Sequence, residues 1–207
     1  MLSAKQLKQR ARNNLGNSLF SQAWLFGLAA CIIVGAVTAV LTGVFTAINL
    51  AWAASIVTII INGPLNFGAN KYFLFSACNQ IGKGDLKVLF DGFKTKPVDN
   101  VVMGILTSLF TALWSILFII PGIVKACGYA IAFYIKVDCP QYKPMEVMKL
   151  SESIMKGHKM RYFMLQLSFI GWYLVGILTF GIGFLWIMPY VQSTNAEFYR
   201  DLILNMK

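Results

Sequence analysis

Charged side chains are scarce in this sequence, and acidic ones are the scarcest. Only 13% of the 207 residues are charged, with eight Asp and Glu against eighteen Lys and Arg, whereas 57% are hydrophobic. About 25% charged residues is usual for a soluble domain. The composition therefore excludes a water-soluble globular fold and predicts a protein that is embedded in a membrane.

The residues that build most catalytic and metal sites are few or unsuitably spaced. The single histidine, His158, lies among lysines, with no second histidine or cysteine at ligand spacing. Glu146 and Glu152 are expected to pair with Lys149 and Lys156 on a helix surface. The chain has no C-x-x-C pair, phosphate-binding loop, H-E-x-x-H or G-x-S-x-G motif. These absences predict no metal, no cofactor and no enzymatic activity; an enzyme acting on a lipid head group is the least favoured alternative.

The positive charges are concentrated in three clusters, Lys5–Arg12, Lys83–Lys96 and Lys136–Arg161. Lys and Arg accumulate in the cytoplasmic loops of membrane proteins. We therefore interpret the net charge of +10 as a topology signal that places both termini in the cytoplasm, and not as a nucleic-acid-binding surface. The residues expected to contact anionic lipid of the inner leaflet are Lys5, Lys8, Arg10, Arg12, Lys156, His158, Lys159 and Arg161.

Long apolar stretches lie between these clusters. A bilayer core needs about 20 apolar residues per helix. Six segments approach this length, and uncharged turns at Asn49–Leu50, Pro121–Gly122 and Gly181–Gly183 join them in pairs. The predicted spans are Ala23–Ile48, Ala51–Cys78, Val98–Ile120, Gly122–Val137, Tyr162–Phe180 and Gly183–Leu204. The sequence thus predicts an all-α integral membrane protein with six transmembrane helices arranged as three hairpins.

A basic amphipathic helix precedes each predicted hairpin, and we expect these helices to lie at the membrane interface. Ser3 and Gln6 have the spacing of a capping box, while Asp85 and Pro144 suit the starts of the second and third helices. The apolar stripes are Leu7, Ala11 and Leu15; Leu86, Leu89, Phe90 and Phe93; and Val147, Leu150 and Ile154. This order predicts one membrane domain over residues 1–207 with three similar units, 1–80, 81–138 and 139–207. An ordinary polytopic protein with basic inner loops would show the same pattern.

A proline lies in or before the returning helix of each hairpin, where we expect the helix to be broken. The predicted breaks are Gly63, Pro64, Pro121, Gly122 and Pro189. Carbonyls freed at a break are tolerated in lipid only where protein or water satisfies them. Polar residues follow each break, which predicts a polar groove lined by Asn66, Asn70, Lys71, Lys125, Gln192, Thr194, Asn195 and Glu197. Glu197 would pair with Lys71 in this groove; the alternative is that these charged groups snorkel to the interface, Lys125 outward.

Several short motifs resemble a family of small bacterial integral membrane proteins known as domain of unknown function 975. They are Leu89-Phe90-Asp91-Gly92-Phe93-Lys94, Ile119-Ile120-Pro121-Gly122-Ile123, Met155-Lys156-Gly157-His158-Lys159, Ser168-Phe169-Ile170-Gly171-Trp172, and Pro189-Tyr190 followed by Thr194, Ala196, Phe198, Tyr199 and Asp201. The resemblance covers nearly the whole chain and implies a multi-pass protein of the bacterial cytoplasmic membrane. It extends remotely to membrane domains attached to some glycerophosphodiester phosphodiesterases, which implies a place in lipid or envelope biology. The family has no established activity to carry over.

Together these features predict a non-enzymatic polytopic protein that binds, or helps to move, a lipid or small amphiphile in the cell envelope. Its expected partners are anionic membrane lipids, and a second copy or another membrane protein could join them. The alternative function is an accessory or scaffold subunit of a membrane transporter or envelope enzyme complex. Such a subunit would assemble through small-residue faces, for example Gly27, Gly35 and Gly43.

Overall fold

The structure is a computed structural model that describes residues 2–16, 21–47, 51–78, 85–117 and 119–205. These residues form helices and connecting turns, and none of them lies in a strand. The predicted turn Asn49–Leu50 and the cluster residue Lys83 lie outside the described residues. The helices are α1 (Ala4–Asn14), α2 (Gln22–Ala47), α3 (Ala51–Ala77), a 3-10 helix (Leu86–Phe90), α4 (Asp91–Lys94), α5 (Pro97–Leu117), α6 (Ile119–Tyr129), α7 (Ala132–Asp138), α8 (Pro144–Ile154), α9 (Lys159–Leu167), α10 (Ile170–Leu178) and α11 (Phe184–Leu204).

Three helical stretches are long and apolar enough to cross a membrane: Gln22–Val44, Pro97–Ser115 and Lys159–Leu178. Fewer than a fifth of the residues in the most apolar part of each stretch are buried inside the protein. Large apolar side chains such as Leu109 and Leu178 are therefore exposed, at 57% and 78%. Continuous apolar surface is unfavourable in water and is favourable against lipid tails. The architecture is that of an all-helical protein with apolar helices compatible with membrane insertion.

The fourth predicted span, Gly122–Val137, is not a single helix. It is divided at Ala130 and Ile131 into α6 and α7. With 11 residues, α6 rises about 16 Å, well short of a hydrocarbon core of about 30 Å. The sequence could not show this division, because the residues on both sides of it are apolar and neither Ala130 nor Ile131 is a helix breaker.

The predicted helix breaks at Gly63, Pro64 and Pro189 are wrong. Pro64 and Pro189 lie inside the uninterrupted helices α3 and α11. Pro121 and Gly122 lie near the start of α6, where a missing N–H removes no helical hydrogen bond. Proline inside a helix removes one hydrogen bond, and neighbouring helices can hold the chain helical at that position. Both Gly63 and Pro64 are buried, consistent with such support.

The packing of α3 organises the fold, because this helix contacts α2, α5, α7, α11 and the 3-10 helix. α3 approaches the second basic segment so closely that only glycine fits at position 68 of α3. A Cβ atom added at Gly68 would lie 1.8 Å from the carbonyl oxygen of Leu89. Lys71, one turn further along α3, donates a hydrogen bond to Asp91 at 2.7 Å. The second basic segment is therefore seated directly on α3.

The first basic helix forms as predicted, and its apolar face packs against protein. Ser3 and Gln6 make the capping box, with a 2.8 Å hydrogen bond from the Ser3 N–H to the Gln6 side chain. The predicted stripe of Leu7, Ala11 and Leu15 is buried. Because α1 packs mainly on α11, its apolar face is already covered. Only its basic face is open to the surroundings.

The second and third basic segments bury smaller parts of their predicted stripes. In the second, Leu89 is buried, whereas Phe90 and Phe93 are each 42% exposed, because a 3-10 helix and a four-residue helix replace one regular helix. In the third, Pro144 begins α8 as predicted and Val147 is buried. α8 packs along α5, α6 and α7. The third segment therefore belongs to the helical bundle.

Candidate functional site

A cluster of charged side chains forms where α6 meets α8 and α9. The Lys125 ammonium donates a 2.6 Å hydrogen bond to Glu152, and the Lys159 nitrogen lies 3.7 Å from the same carboxylate oxygen. The hydrogen bond from Lys125 holds the pKa of Glu152 below its usual value. The Ser151 hydroxyl donates to the Gly128 carbonyl at 2.7 Å and fixes α8 on α6. Glu152 thus pairs across helices, and its expected pairing with Lys156 is wrong.

Beside this cluster lies an open pocket of about 440 Å³, which we name the lysine pocket. Its lining residues are Lys149, Glu152, Ser153, Lys156 and Lys159. Three ammonium groups therefore face one carboxylate, which is already shared with Lys125 and Lys159. Lys149 and Lys156 are exposed and take part in no ion pair within the described part of the chain. The pocket consequently has a net positive charge available to an anionic ligand.

An apolar groove of about 390 Å³ adjoins the lysine pocket between α6 and α9. We name it the α6–α9 groove; it is lined by Ile123, Val124, Cys127, Lys159, Met160 and Phe163. Lys159 is its single charged lining residue and also lines the lysine pocket. The two spaces therefore meet at this side chain. A cationic pocket that shares a lining residue with an apolar groove is complementary to an amphiphile with an anionic head.

The turn between α8 and α9 brings the lysines together. α8 ends at Ile154, Gly157 adopts a left-handed conformation with φ of 85°, and α9 begins at Lys159. Glycine adopts this conformation without the steric penalty of a side chain. Lys156 and Lys159 consequently line one pocket from either side of the turn. His158 lies between them in sequence and is half-buried.

The three ionisable residues of the predicted polar groove have separate partners. Lys71 pairs with Asp91 at 2.7 Å, and Lys125 pairs with Glu152. Glu197 is 1% exposed and accepts a 2.6 Å hydrogen bond from the Asn14 side chain. The predicted pairing of Lys71 with Glu197 is therefore wrong. Lys125, for which an outward snorkelling position was the alternative, is paired with a carboxylate of the third basic segment.

The uncharged members of the predicted groove mostly satisfy groups within their own helices. The side chains of Asn66, Asn70 and Thr194 each donate to the carbonyl four residues earlier, at 2.7 to 2.8 Å. Asn195 accepts a 2.7 Å hydrogen bond from Gln166, and Gln192 is half-buried. None of these residues lines the lysine pocket or the α6–α9 groove. Helical periodicity identified polar faces correctly but could not show that they turn toward different neighbours.

The residues expected to contact lipid divide into free and engaged groups. Lys5, Arg10, Arg12 and Lys156 are exposed, and Lys159 is half-buried at the junction of pocket and groove. Lys8 donates a 2.7 Å hydrogen bond to the Ser168 carbonyl, and burial lowers the pKa of its ammonium group. Arg161 pairs with the carboxylate of Asp201 and donates to the Leu2 carbonyl. Arg161 therefore ties α9 to α11 and to the start of the chain.

Sequence reasoning missed the apolar half of the site and one buried charge. The groove side chains carry no chemical signal of their own, and only contact between α6 and α9 makes them a lining. Lys136 is 1% exposed and donates to Asp99 at 3.0 Å and to the Tyr142 carbonyl at 2.6 Å. A lysine within an apolar stretch was the available signal for such a buried pair.

Comparison with known proteins supports the family resemblance. Residues 118–205 match the family model described as "Protein of unknown function (DUF975)". No curated protein and no solved structure matches the chain. The matched region contains the lysine pocket and the α6–α9 groove. The resemblance predicted from the motifs is thereby confirmed over residues 118–205, which are similar to the DUF975 family.

Proposed function

We propose that this protein is a non-enzymatic, multi-pass protein of the bacterial cytoplasmic membrane that binds an anionic lipid or a similar amphiphile. The head group would lie in the lysine pocket and the apolar chain in the α6–α9 groove. The observation that carries this proposal is the position of Lys159, which lines both spaces. One ligand can therefore contact both at once.

The two halves of the site contribute differently to selectivity. A lipid tail already lies in hydrocarbon, so moving it into an apolar groove changes its free energy little. A lysine near anionic lipid contributes about 1 kcal/mol of attraction. Selection among lipids therefore rests on the lysine pocket, and the groove orients the bound molecule. Helping a lipid to move would require its release from the same site.

The topology that we propose has six membrane segments arranged as three hairpins, with both termini cytoplasmic; the fourth segment consists of α6 and α7 together. It is supported by the three basic clusters and by the uncharged turn at Gly181–Gly183. The test replaces the native cysteines and introduces Lys94→Cys or Ile182→Cys, both at exposed positions. A membrane-impermeant maleimide should label position 182 in intact cells and position 94 only after permeabilisation. The reverse pattern would refute the orientation.

The binding proposal is tested by native mass spectrometry of the purified protein with its retained lipids. The variant Lys149→Gln/Lys156→Gln removes two pocket charges without breaking an ion pair of the described chain. At about 1 kcal/mol per lysine, retention of anionic lipid should fall on the order of thirtyfold. The matched control, Lys94→Gln/Lys143→Gln, removes the same charge at exposed positions outside the pocket and should retain lipid normally.

A second pair of variants tests the groove. Val124 lines the groove and is 44% exposed, so Val124→Trp should fill part of it. Leu113→Trp places the same side chain on an exposed face of α5 that lines neither space. Reduced lipid retention in Val124→Trp alone is expected. Equal retention in all variants would contradict the proposed site.

The second candidate function is an accessory or scaffold subunit. A Cβ atom added at Gly35 or Gly43 of α2 meets no other atom within 4 Å. Exposed glycines on an apolar helix permit close approach of another helix. A membrane protein that co-purifies stoichiometrically, without retained lipid, would favour this function. A variant carrying Gly35→Leu should then lose the partner.

A further inference from the structure

A second cavity, which shares no lining residue with the lysine pocket, lies among aromatic side chains of α2, α10 and α11. We name this space of about 160 Å³ the tryptophan chamber; it is lined by Arg12, Trp24, Trp172, Trp186, Ile187 and Tyr190. The Tyr190 ring lies 6.0 Å from that of Trp24 and 6.1 Å from that of Trp172, between ring centroids. Tryptophans of membrane proteins commonly act as separate anchors at the membrane interface. The fold instead brings three of the five into one lining.

The tryptophan chamber adjoins a basic surface formed by α1. A neighbouring pocket of about 540 Å³ is lined by Lys5, Lys8, Gln9, Arg12, Asn13 and Tyr190, and thus shares Arg12 and Tyr190 with the chamber. Among the described residues, no Asp or Glu lines either space. Lys5 and Arg12 are exposed and form no ion pair with any described residue. The positive charge here is less compensated than in the lysine pocket, where Glu152 is present.

The polar groups of the tryptophan chamber are hydrogen-bond donors. Arg12 and the indole N–H of Trp24 donate only, and Tyr190 can donate through its hydroxyl. Trp24 is 4% exposed, and its indole nitrogen has no hydrogen-bond partner among the described residues. A buried donor without a partner is unfavourable. A ligand that supplies several acceptor oxygens would match this lining.

We infer that the tryptophan chamber and the adjoining α1 pocket form a second binding site, for an amphiphile with a phosphate head group. The phosphate lies against Arg12 and Lys5, and the apolar part next to it enters the chamber. Arginine binds phosphate through paired N–H groups, and aromatic rings pack against the adjoining carbon chain. This inference does not depend on the lysine pocket and can fail or succeed separately from the proposed function.

The test titrates the full-length protein, in a neutral detergent, with decyl phosphate and follows tryptophan fluorescence. All variants carry Lys149→Gln/Lys156→Gln, so that the contribution of the lysine pocket is greatly reduced. We expect a saturable fluorescence change that Arg12→Gln weakens at least tenfold and Lys5→Gln weakens severalfold. Arg10→Gln removes the same charge from an exposed position of α1 that lines neither space, and should bind normally.

Further ligands identify which chemical groups the site recognises. Decyltrimethylammonium, with the same chain and a positive head, should give no saturable change. Equal affinities of the Arg12→Gln and Arg10→Gln variants would overturn the inference, as would inorganic phosphate competing as well as decyl phosphate. Competition by phosphatidylglycerol would assign the site to a membrane phospholipid. Its failure to compete, with Arg12-dependent binding of decyl phosphate intact, would assign the site to a soluble phosphate amphiphile.

Discussion

The close approach of α3 to the second basic segment predicts that two alanine substitutions have opposite effects. In Gly68→Ala the new Cβ atom would lie 1.8 Å from the Leu89 carbonyl oxygen, whereas ordinary contact begins near 3.4 Å. The second basic segment must therefore move by about 1.5 Å, which disrupts its packing on α3. Overpacking typically destabilises by about 1–3 kcal/mol, and alanine recovers up to about 1 kcal/mol through its helix propensity. We expect a net loss of about 2 kcal/mol.

Gly35→Ala is the matched control, because a Cβ atom there meets nothing within 4 Å. It should stabilise the protein by up to about 1 kcal/mol. Thermal unfolding in detergent can be followed with a thiol-reactive dye, since Cys127 is 7% exposed and reacts once the fold opens. For a chain of this size, Gly68→Ala should lower Tm by roughly 4–8 °C. An unchanged or raised Tm for Gly68→Ala would refute the packing of the second basic segment on α3.

Two further substitutions test buried and site charges. Lys136→Met should lower the free energy of unfolding by about 3 kcal/mol, because it removes the partner of Asp99 and leaves carbonyl groups without a donor. The control Lys94→Met, at an exposed position, should change Tm little. Equal changes in Tm for the two variants would contradict the buried pair. Glu152→Gln should increase retention of anionic lipid severalfold in native mass spectrometry, since it removes the one carboxylate of the lysine pocket; decreased retention would contradict the proposed electrostatics. The low pKa of Glu152 also means that its bond with Lys125 stabilises the protein above about pH 5, and that this contribution is lost as the pH falls through the lowered pKa. Unfolding temperatures of wild type and Glu152→Gln should therefore converge in acid, and a constant difference would count against the bond.

The functional conclusion depends on charges that lack partners as much as on those that have them. Lys71, Lys136 and Arg161 are each held by a carboxylate, so their charges are used within the fold. Lys149 and Lys156 remain exposed beside an apolar groove. Because a bound head group would not have to displace a protein carboxylate from these two lysines, they are the ones best suited to select lipid. This distinction could not be made from a net charge of +10.

Local pattern was sufficient for several features of the fold. The capping box of Ser3 and Gln6, the buried stripe of α1 and the start of α8 at Pro144 depend on residues close together in sequence, whose physical preferences act over one or two helical turns. The apolar character of the long helices follows from composition, since a chain with so few charged residues cannot cover itself with polar surface. The short motifs that resemble the DUF975 family were likewise recognisable directly from the sequence.

Which residue each polar side chain contacts, by contrast, was decided only by tertiary packing. The polar residues near Pro64 and Pro189 have the periodicity of polar faces, but the fold turns Lys71 toward Asp91 and Glu197 toward Asn14. The groove lining and the tryptophan chamber contain ordinary apolar and aromatic residues, which become sites only where α6 meets α9 and where α1 meets α11. The physical reason is that a side chain's periodicity specifies its direction on its own helix, whereas the neighbour that it meets depends on how whole helices pack.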